Sequence, residues 1–199
     1  MALDLLGYRW PLHEPCLYSR DRGVDPDGKE LPDTLMLRQI DDMLFAVQSK
    51  KEFDDAVNEL KQHMDIEGED KLASHYNGIE LDQRREYIAI KVFFYIVKVC
   101  ENNGWENMNF SKSKPSAPIS VAMAKAIIES GKGPPIKSVD GLKLEEKMGF
   151  GYLNLLGELI FACVVCCLDI AYALSLLSRY AEYLLELHYD RLKGVTKYL

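Results

Sequence analysis

The stretch that decides the fold reads Leu35-Met36-Leu37-Arg38-Gln39-Ile40-Asp41-Asp42-Met43-Leu44-Phe45-Ala46-Val47, an apolar run interrupted by two aspartates. Two short apolar segments joined by a polar turn predict an antiparallel β-hairpin with buried flanks. Burying two neighbouring carboxylates is costly unless a cation neutralises them. The hairpin therefore predicts a divalent-metal site at Asp41 and Asp42, and Mg²⁺ suits it because this ion prefers oxygen ligands and shares its shell with phosphates. The alternative is an ordinary turn, where Asp is common.

The composition is that of a folded protein. The chain has 199 residues, enough for one domain or two small ones, and its hydrophobic content of 48% argues against disorder. The formal net charge of −7 argues against tight nucleic-acid binding by the chain alone, because such binding rests on Lys and Arg. An acidic chain can still belong to a metal-dependent polymerase whose basic surfaces lie elsewhere.

The cysteines and the start of the chain predict a reducing, intracellular compartment. The chain has 5 cysteines, an odd number, and its first residues lack the pattern of a signal peptide. Cys163, Cys166 and Cys167 lie close together, but no further ligands at a recognisable spacing complete a zinc site, so they are interpreted as packing residues of a buried helix. The apolar run at residues 159–168 is about half as long as a membrane span, which predicts a buried helix and no membrane partner.

Two further segments have clear local patterns. Ser49-Lys50-Lys51-Glu52 has the pattern of a capping box and predicts a helix start. The apolar residues that follow share one helical face, and they are Phe53, Ala56, Val57, Leu60 and Met64. Residues 72–92 predict a second hairpin, with residues 76–81 as one strand, a polar turn, and residues 87–91 as the return strand.

The remainder of the chain predicts mostly helices. Residues 94–103 predict a helix that ends at Gly104, and residues 112–147, rich in Lys, Pro, Gly and Ser, predict a linker or exposed loop. Residues 152–178 predict one long or two joined apolar helices. Residues 183–199 predict a last amphipathic helix, whose inward residues are Leu187, Leu192 and Val195. This order of elements indicates an α+β fold with a trailing helical part.

With these motifs in place, the chain resembles the reverse transcriptase of copia-type retrotransposons from about residue 13 to residue 199. Gln39-Ile40-Asp41-Asp42-Met43-Leu44 resembles the catalytic hairpin of that family, which usually carries Tyr-Val-Asp-Asp. Tyr76-Asn77-Gly78-Ile79-Glu80 resembles its Leu-Gly-Ile-Glu strand. Further segments are similar in the order of the family, and these are Lys114-Pro115-Ser116-Ala117-Pro118 and residues 152–159, 169–173, 177–180, 188–189 and 192–199.

The resemblance implies a partial reverse-transcriptase palm, in which antiparallel hairpins pack with a helix, followed by thumb-like and connecting helices. Residues 1–92 would form the C-terminal part of the palm, and residues 93–110 a thumb-like helix. Residues 111–147 would form the linker or loop. Residues 148–199 would form the helical segment that precedes a ribonuclease H domain.

The same resemblance implies a chemistry. Asp41 and Asp42 would be catalytic and would bind Mg²⁺, or Mn²⁺, in an RNA-directed DNA polymerase that works by two-metal nucleotidyl transfer. The residues that would position the primer or template are Gln39, Tyr76, Asn77 and Gly78. The partners would be an RNA template, a DNA primer, deoxynucleotides and the rest of the Pol polyprotein, in a cytoplasmic virus-like particle or in the nucleus.

The chain also departs from the pattern of the family. The first metal aspartate and the nucleotide-holding part of the palm belong upstream, in a segment that this chain does not contain, and the neighbours of Asp4 do not match that motif. Gln39 replaces the usual Tyr, and Cys167-Leu168 stands where Arg-Pro is usual. These departures predict a fragment that is inactive alone. Two alternatives stay open: a non-catalytic remnant with a structural or interaction role, and a membrane-associated helical protein that uses residues 153–178.

Overall fold

The computed structural model describes residues 3, 6–11, 13–24, 26–31, 33–68, 72–105 and 115–199. This part of the chain has an α+β fold with two three-stranded antiparallel sheets, which confirms the predicted class. The chain divides into two compact units. The first unit comprises Met1–Asn77 and Leu81–Ile88, and the second comprises Gly78–Glu80 and Ala89–Leu199.

The first unit is built on an antiparallel sheet and one helix. The elements are β1 (Leu17–Arg20), β2 (Thr34–Gln39), β3 (Asp42–Ala46) and α1 (Lys50–Lys61), and the strand order is β1-β2-β3. Met36 is fully buried, and its partner across the β2–β3 hairpin, Phe45, packs partly buried against the same core. Leu35 is 40% exposed, so the predicted hairpin is confirmed but the expected burial of both flanks is wrong. Only one face of the hairpin meets a core, as is usual for an antiparallel sheet.

Helix α1 begins where the capping box predicts. The Ser49 hydroxyl accepts a hydrogen bond from the backbone N–H of Glu52 at 3.2 Å. The Glu52 carboxylate accepts from the N–H of Gln48 at 2.9 Å, one residue before the cap that the pattern predicts. The apolar face of the helix is confirmed, since Ala56, Val57 and Leu60 are buried.

The second sheet is made of short strands. These are β4 (His75–Tyr76), β5 (Ile79–Gln83) and β6 (Ile88–Lys91), in the order β4-β5-β6. Asn77 and Gly78 have φ values of +49° and +76°, so they form the tight turn between β4 and β5. The prediction of one strand over residues 76–81 is therefore wrong, because an Asn-Gly pair is itself a strong two-residue turn signal. The predicted hairpin that follows is confirmed as β5 and β6.

The second unit is mainly helical. Its helices are α2 (Phe93–Asn102), α3 (Val121–Glu129), α4 (Val139–Met148), α5 (Tyr152–Val165), a short 3-10 helix (Leu168–Ile170), α6 (Ala171–Ser178) and α7 (Glu186–Tyr198). Their buried side chains form one core, which includes Val99, Ile127, Leu159, Leu177 and Leu192. The predicted pair of joined helices is confirmed as α5 and α6. The last helix begins at Glu186, three residues after the predicted start, and Leu192 and Val195 are fully buried.

The interpretation of residues 111–147 as a linker is wrong where the structure describes them. Helices α3 and α4 lie in this stretch, and the hydroxyls of Ser120 and Ser138 cap their N-termini. Ala124 and Ile127 are buried, so α3 contributes to the same core as α2 and α5. The high Lys, Gly and Pro content is typical of a loop, but the serine caps and the apolar residues after them are the local signals of these two helices. Residues 111–114 lie outside the described residues.

Within the described ranges, no single helix is both long and apolar enough to cross a membrane. Helices α4 and α5 reach that length and composition only when they are taken together, and they are bent by 61°.

Candidate functional site

Asp41 and Asp42 lie at the tip of the β2–β3 hairpin. Gln39 pairs with Asp42, which leaves Ile40 and Asp41 as a two-residue turn. Both aspartates are exposed, so the prediction of a buried carboxylate pair is wrong. The tip lies beyond the buried Met36 and its half-buried partner Phe45, where solvent still reaches the chain. Because an exposed carboxylate keeps its hydration, the energetic argument for a neutralising cation does not apply here.

Ile40 gives this turn an unusual backbone. Its φ is +53°, a left-handed conformation that β-branched residues rarely adopt. The side chain is 79% exposed, so burial compensates for little of the strain. The Nε–H group of Arg38 donates a hydrogen bond to the Ile40 carbonyl at 3.2 Å and helps to hold the turn. Sequence reasoning missed Ile40, and no propensity signal marks it, because a β-branched residue favours strands over left-handed turns.

Tyr76 is brought to the side of this hairpin. Its hydroxyl donates a long hydrogen bond, 3.5 Å, to the carbonyl of Leu37 in β2. Burial raises the pKa of the Tyr76 hydroxyl, and the negative charge of Asp42 raises this pKa further. Of the residues expected to position a primer, Tyr76 therefore lies within the electrostatic reach of Asp42.

The other expected positioning residues have different settings. Gln39 is exposed at the end of β2, directly opposite Asp42 in the strand register. Asn77 and Gly78 are exposed in the turn between β4 and β5. Both φ values in this turn are positive, which is the sign pattern of a type I′ turn.

The donor set at the tip is small. Within the parts of the chain that the structure describes, no group of three or more His, Cys, Asp and Glu side chains could hold a metal ion. Asp41 and Asp42 therefore offer a pair of carboxylates without a third protein ligand from these residues. Such a pair fits Mg²⁺, which is often bound by one or two carboxylates while water and substrate phosphates complete the shell. It does not fit a closed cage for Ca²⁺ or Zn²⁺.

A polar cavity of about 390 Å³ lies elsewhere in the first unit, lined by residues that include Tyr8, Arg20, Arg22 and Glu52. Both of its arginines form ion pairs with glutamates of the same lining. Arg22 forms an ion pair with Glu52 at 3.1 Å, and Arg20 pairs with Glu59. The Glu52 carboxylate also accepts from the Thr34 hydroxyl at 2.5 Å, which ties the start of α1 to β2. The cavity is therefore explained as part of the packing of the first unit.

Comparison with known proteins adds no assignment. No protein-family model matches the chain, and the searches of curated proteins and of solved structures each found no match.

Proposed function

We propose that this chain is the C-terminal palm and thumb portion of a copia-type reverse transcriptase, with Asp41 and Asp42 as metal ligands of the polymerase centre. The proposal rests on the ordered resemblance of motifs described above. One structural observation supports it most directly: Asp41 is the second residue of a two-residue hairpin turn, Asp42 begins the strand that follows, and the first residue of the turn, Ile40, has a φ of +53°. Backbone strain of this kind persists where the surroundings impose it, and it is concentrated at functional sites.

The exposure of the tip agrees with this role. Asp41 and Asp42 are free to meet a metal that carries phosphate ligands, because no described side chain pairs with them in an ion pair. Bound Mg²⁺ would supply charge stabilisation at the transferring phosphate. The residues of this chain would hold that ion, and Tyr76 would shape the neighbouring surface next to Asp42. Activity would need a third carboxylate beside this pair, and the described residues supply none there, so we expect the 199-residue chain alone to be inactive.

The metal site can be tested without polymerase activity. Mn²⁺ is paramagnetic, so substoichiometric Mn²⁺ added to the isotopically labelled full chain broadens the NMR signals of residues close to the bound ion. We expect selective broadening of the amides of residues 40–43. The double variant Asp41→Asn with Asp42→Asn should lose this broadening.

The chain offers a matched control. Asp54 and Asp55 are also adjacent aspartates, but they lie on helix α1 instead of a turn. The double variant Asp54→Asn with Asp55→Asn should leave the broadening at residues 40–43 unchanged. Equal broadening at both pairs, or none at residues 40–43, would count against a metal site and in favour of a non-catalytic remnant.

The ancestry has a separate test. We expect the reading frame upstream of this chain to encode a further aspartate within a palm-like motif. Stop codons or unrelated sequence at that place would leave the folded remnant as the only source of a function.

A further inference from the structure

Three cysteines lie around the end of helix α5, and the proposed polymerase role uses none of them. Cys163 is buried in the helical core, Cys167 is half-buried and Cys166 is exposed. The interpretation of all three as packing residues therefore holds for Cys163 and fails for Cys166. The Sγ atoms of Cys166 and Cys167 lie 3.8 Å apart and form a thiol–thiol hydrogen bond.

We infer that Cys166 and Cys167 form a vicinal dithiol that hydroperoxides oxidise reversibly to a disulfide between adjacent residues. The two sulfurs must approach from 3.8 Å to about 2.0 Å, the length of an S–S bond. Their position favours this approach, because the backbone of Cys166 and Cys167 forms the break between α5 and the following 3-10 helix. Both of their N–H groups donate to the carbonyl of Ala162, at 3.1 Å and 3.0 Å. The pair therefore lies at the end of α5, and closing a disulfide there does not interrupt a continuous helix.

The surroundings assign different roles to the two sulfurs. Burial raises the pKa of the Cys167 thiol to about 12, and the neighbouring Cys166 and Asp169 act in the same direction. Cys167 therefore keeps its proton, and Cys166 is the sulfur of the pair that solvent reaches. Since the thiolate is the nucleophile, Cys166 is the residue that meets the oxidant.

The chemistry balances in two steps. The Cys166 thiolate attacks one oxygen of hydrogen peroxide, the O–O bond breaks, and the departing hydroxide takes up a proton as water, which leaves a sulfenic acid on Cys166. The Cys167 sulfur then attacks the sulfur of that sulfenic acid, loses its proton and expels the hydroxyl as a second water. The two thiols lose two electrons in total, and the peroxide gains them.

The product should be easily reduced. The Cα atoms of adjacent residues lie about 3.8 Å apart across a trans peptide, which is closer than the range of about 4.4–6.8 Å that is usual for disulfides. Strained disulfides of this kind are the labile and regulatory ones. We therefore expect a reversible modification, which fits the reducing compartment that the cysteine content predicts.

The test uses the full chain and mass spectrometry. The reduced, folded protein is treated with hydrogen peroxide, then unfolded in guanidinium chloride so that N-ethylmaleimide blocks every remaining thiol, and digested with trypsin. All three cysteines fall in the peptide of residues 148–179. We expect this peptide to lose two of its three blocking sites after peroxide treatment and to regain them with dithiothreitol.

Variants identify the pair. Cys163→Ala should still lose two blocking sites, whereas Cys166→Ser and Cys167→Ser should lose none to a disulfide. In a separate reaction without denaturant, protection of the buried Cys100 from N-ethylmaleimide shows that each variant is folded. The inference is overturned if the wild-type peptide keeps three sites, if Cys167→Ser still forms a disulfide through Cys163, or if only disulfide-linked dimers appear on a non-reducing gel.

Discussion

Replacing Ile40 with glycine tests the strain at the hairpin tip. With φ at +53°, a β-branched residue here costs about 2 kcal/mol, within the usual range for a strained backbone position. Glycine removes this cost but adds about 0.7 kcal/mol of unfolded-chain entropy. Because Ile40 is 79% exposed, its truncation loses about 0.4 kcal/mol of apolar burial. We therefore expect Ile40→Gly to stabilise the first unit by about 1 kcal/mol.

The matched control is the same substitution at Ile88. This residue is 62% exposed in strand β6, and its φ is not positive. Ile88→Gly loses about 1 kcal/mol of β-propensity and about 1 kcal/mol of apolar burial, so we expect this variant to destabilise its sheet by about 2 kcal/mol. Ile40→Asn separates the relief of backbone strain from the unfolded-chain entropy of glycine, because asparagine tolerates the left-handed region without that entropy.

Hydrogen exchange is the suitable assay. The chain divides into two units, so a single unfolding curve would mix their stabilities, whereas amide protection reports each sheet separately. The amides of β2 and β3 report the Ile40 variants, and those of β5 and β6 report Ile88→Gly. If both glycine variants destabilise their sheets to the same extent, Ile40 is not strained in solution, and the observation that supports the polymerase proposal fails.

Two further predictions concern the helical unit. A Cβ atom at Gly133 would lie 1.8 Å from the carbonyl oxygen of Leu184, whereas a Cβ atom at Gly131 would have nothing within 4 Å. Gly133→Ala should therefore destabilise the helical unit by about 3 kcal/mol or more, and Gly131→Ala should change its stability by less than about 1 kcal/mol, both measured by hydrogen exchange of the α5 and α7 amides. Equal effects would refute the close approach. The Nδ1 atom of the buried His188 accepts from the N–H of Leu185 at 3.0 Å, and burial lowers the pKa of His188 below the ordinary 6.5. The unfolded chain therefore binds a proton that the folded chain does not, so stability is full above pH 6.5 and falls below it by up to about 1.4 kcal/mol per pH unit. His188→Gln should flatten this dependence between about pH 5 and pH 7.5 in the hydrogen exchange of the same amides, corrected for their intrinsic exchange rates, and an unchanged slope would contradict the assignment.

Local patterns were sufficient wherever the signal and its consequence lie close together in the chain. The capping box at Ser49 places the start of α1, because the hydroxyl and the N–H that it binds are three residues apart. Gly104, with a φ of +68°, follows the end of α2 as expected for a helix C-terminus. The prediction of a linker at residues 120–148 is wrong because it rests on composition, whereas the serine caps at Ser120 and Ser138 are the local signals of the two helices there.

The candidate site was predictable in its residues and not in its environment. The sequence by itself determined that Asp41 and Asp42 lie at the tip of a hairpin, because the apolar runs on both sides pair around them. It did not determine that the pair is exposed, that the turn comprises Ile40 and Asp41, that Ile40 is strained, or that the Tyr76 hydroxyl reaches the Leu37 carbonyl. Tyr76 and Leu37 are far apart in the chain, and exposure depends on which face of the sheet meets a core. Only the tertiary structure decides such matters, because burial and long-range contacts arise from packing between elements and leave no local pattern in the sequence.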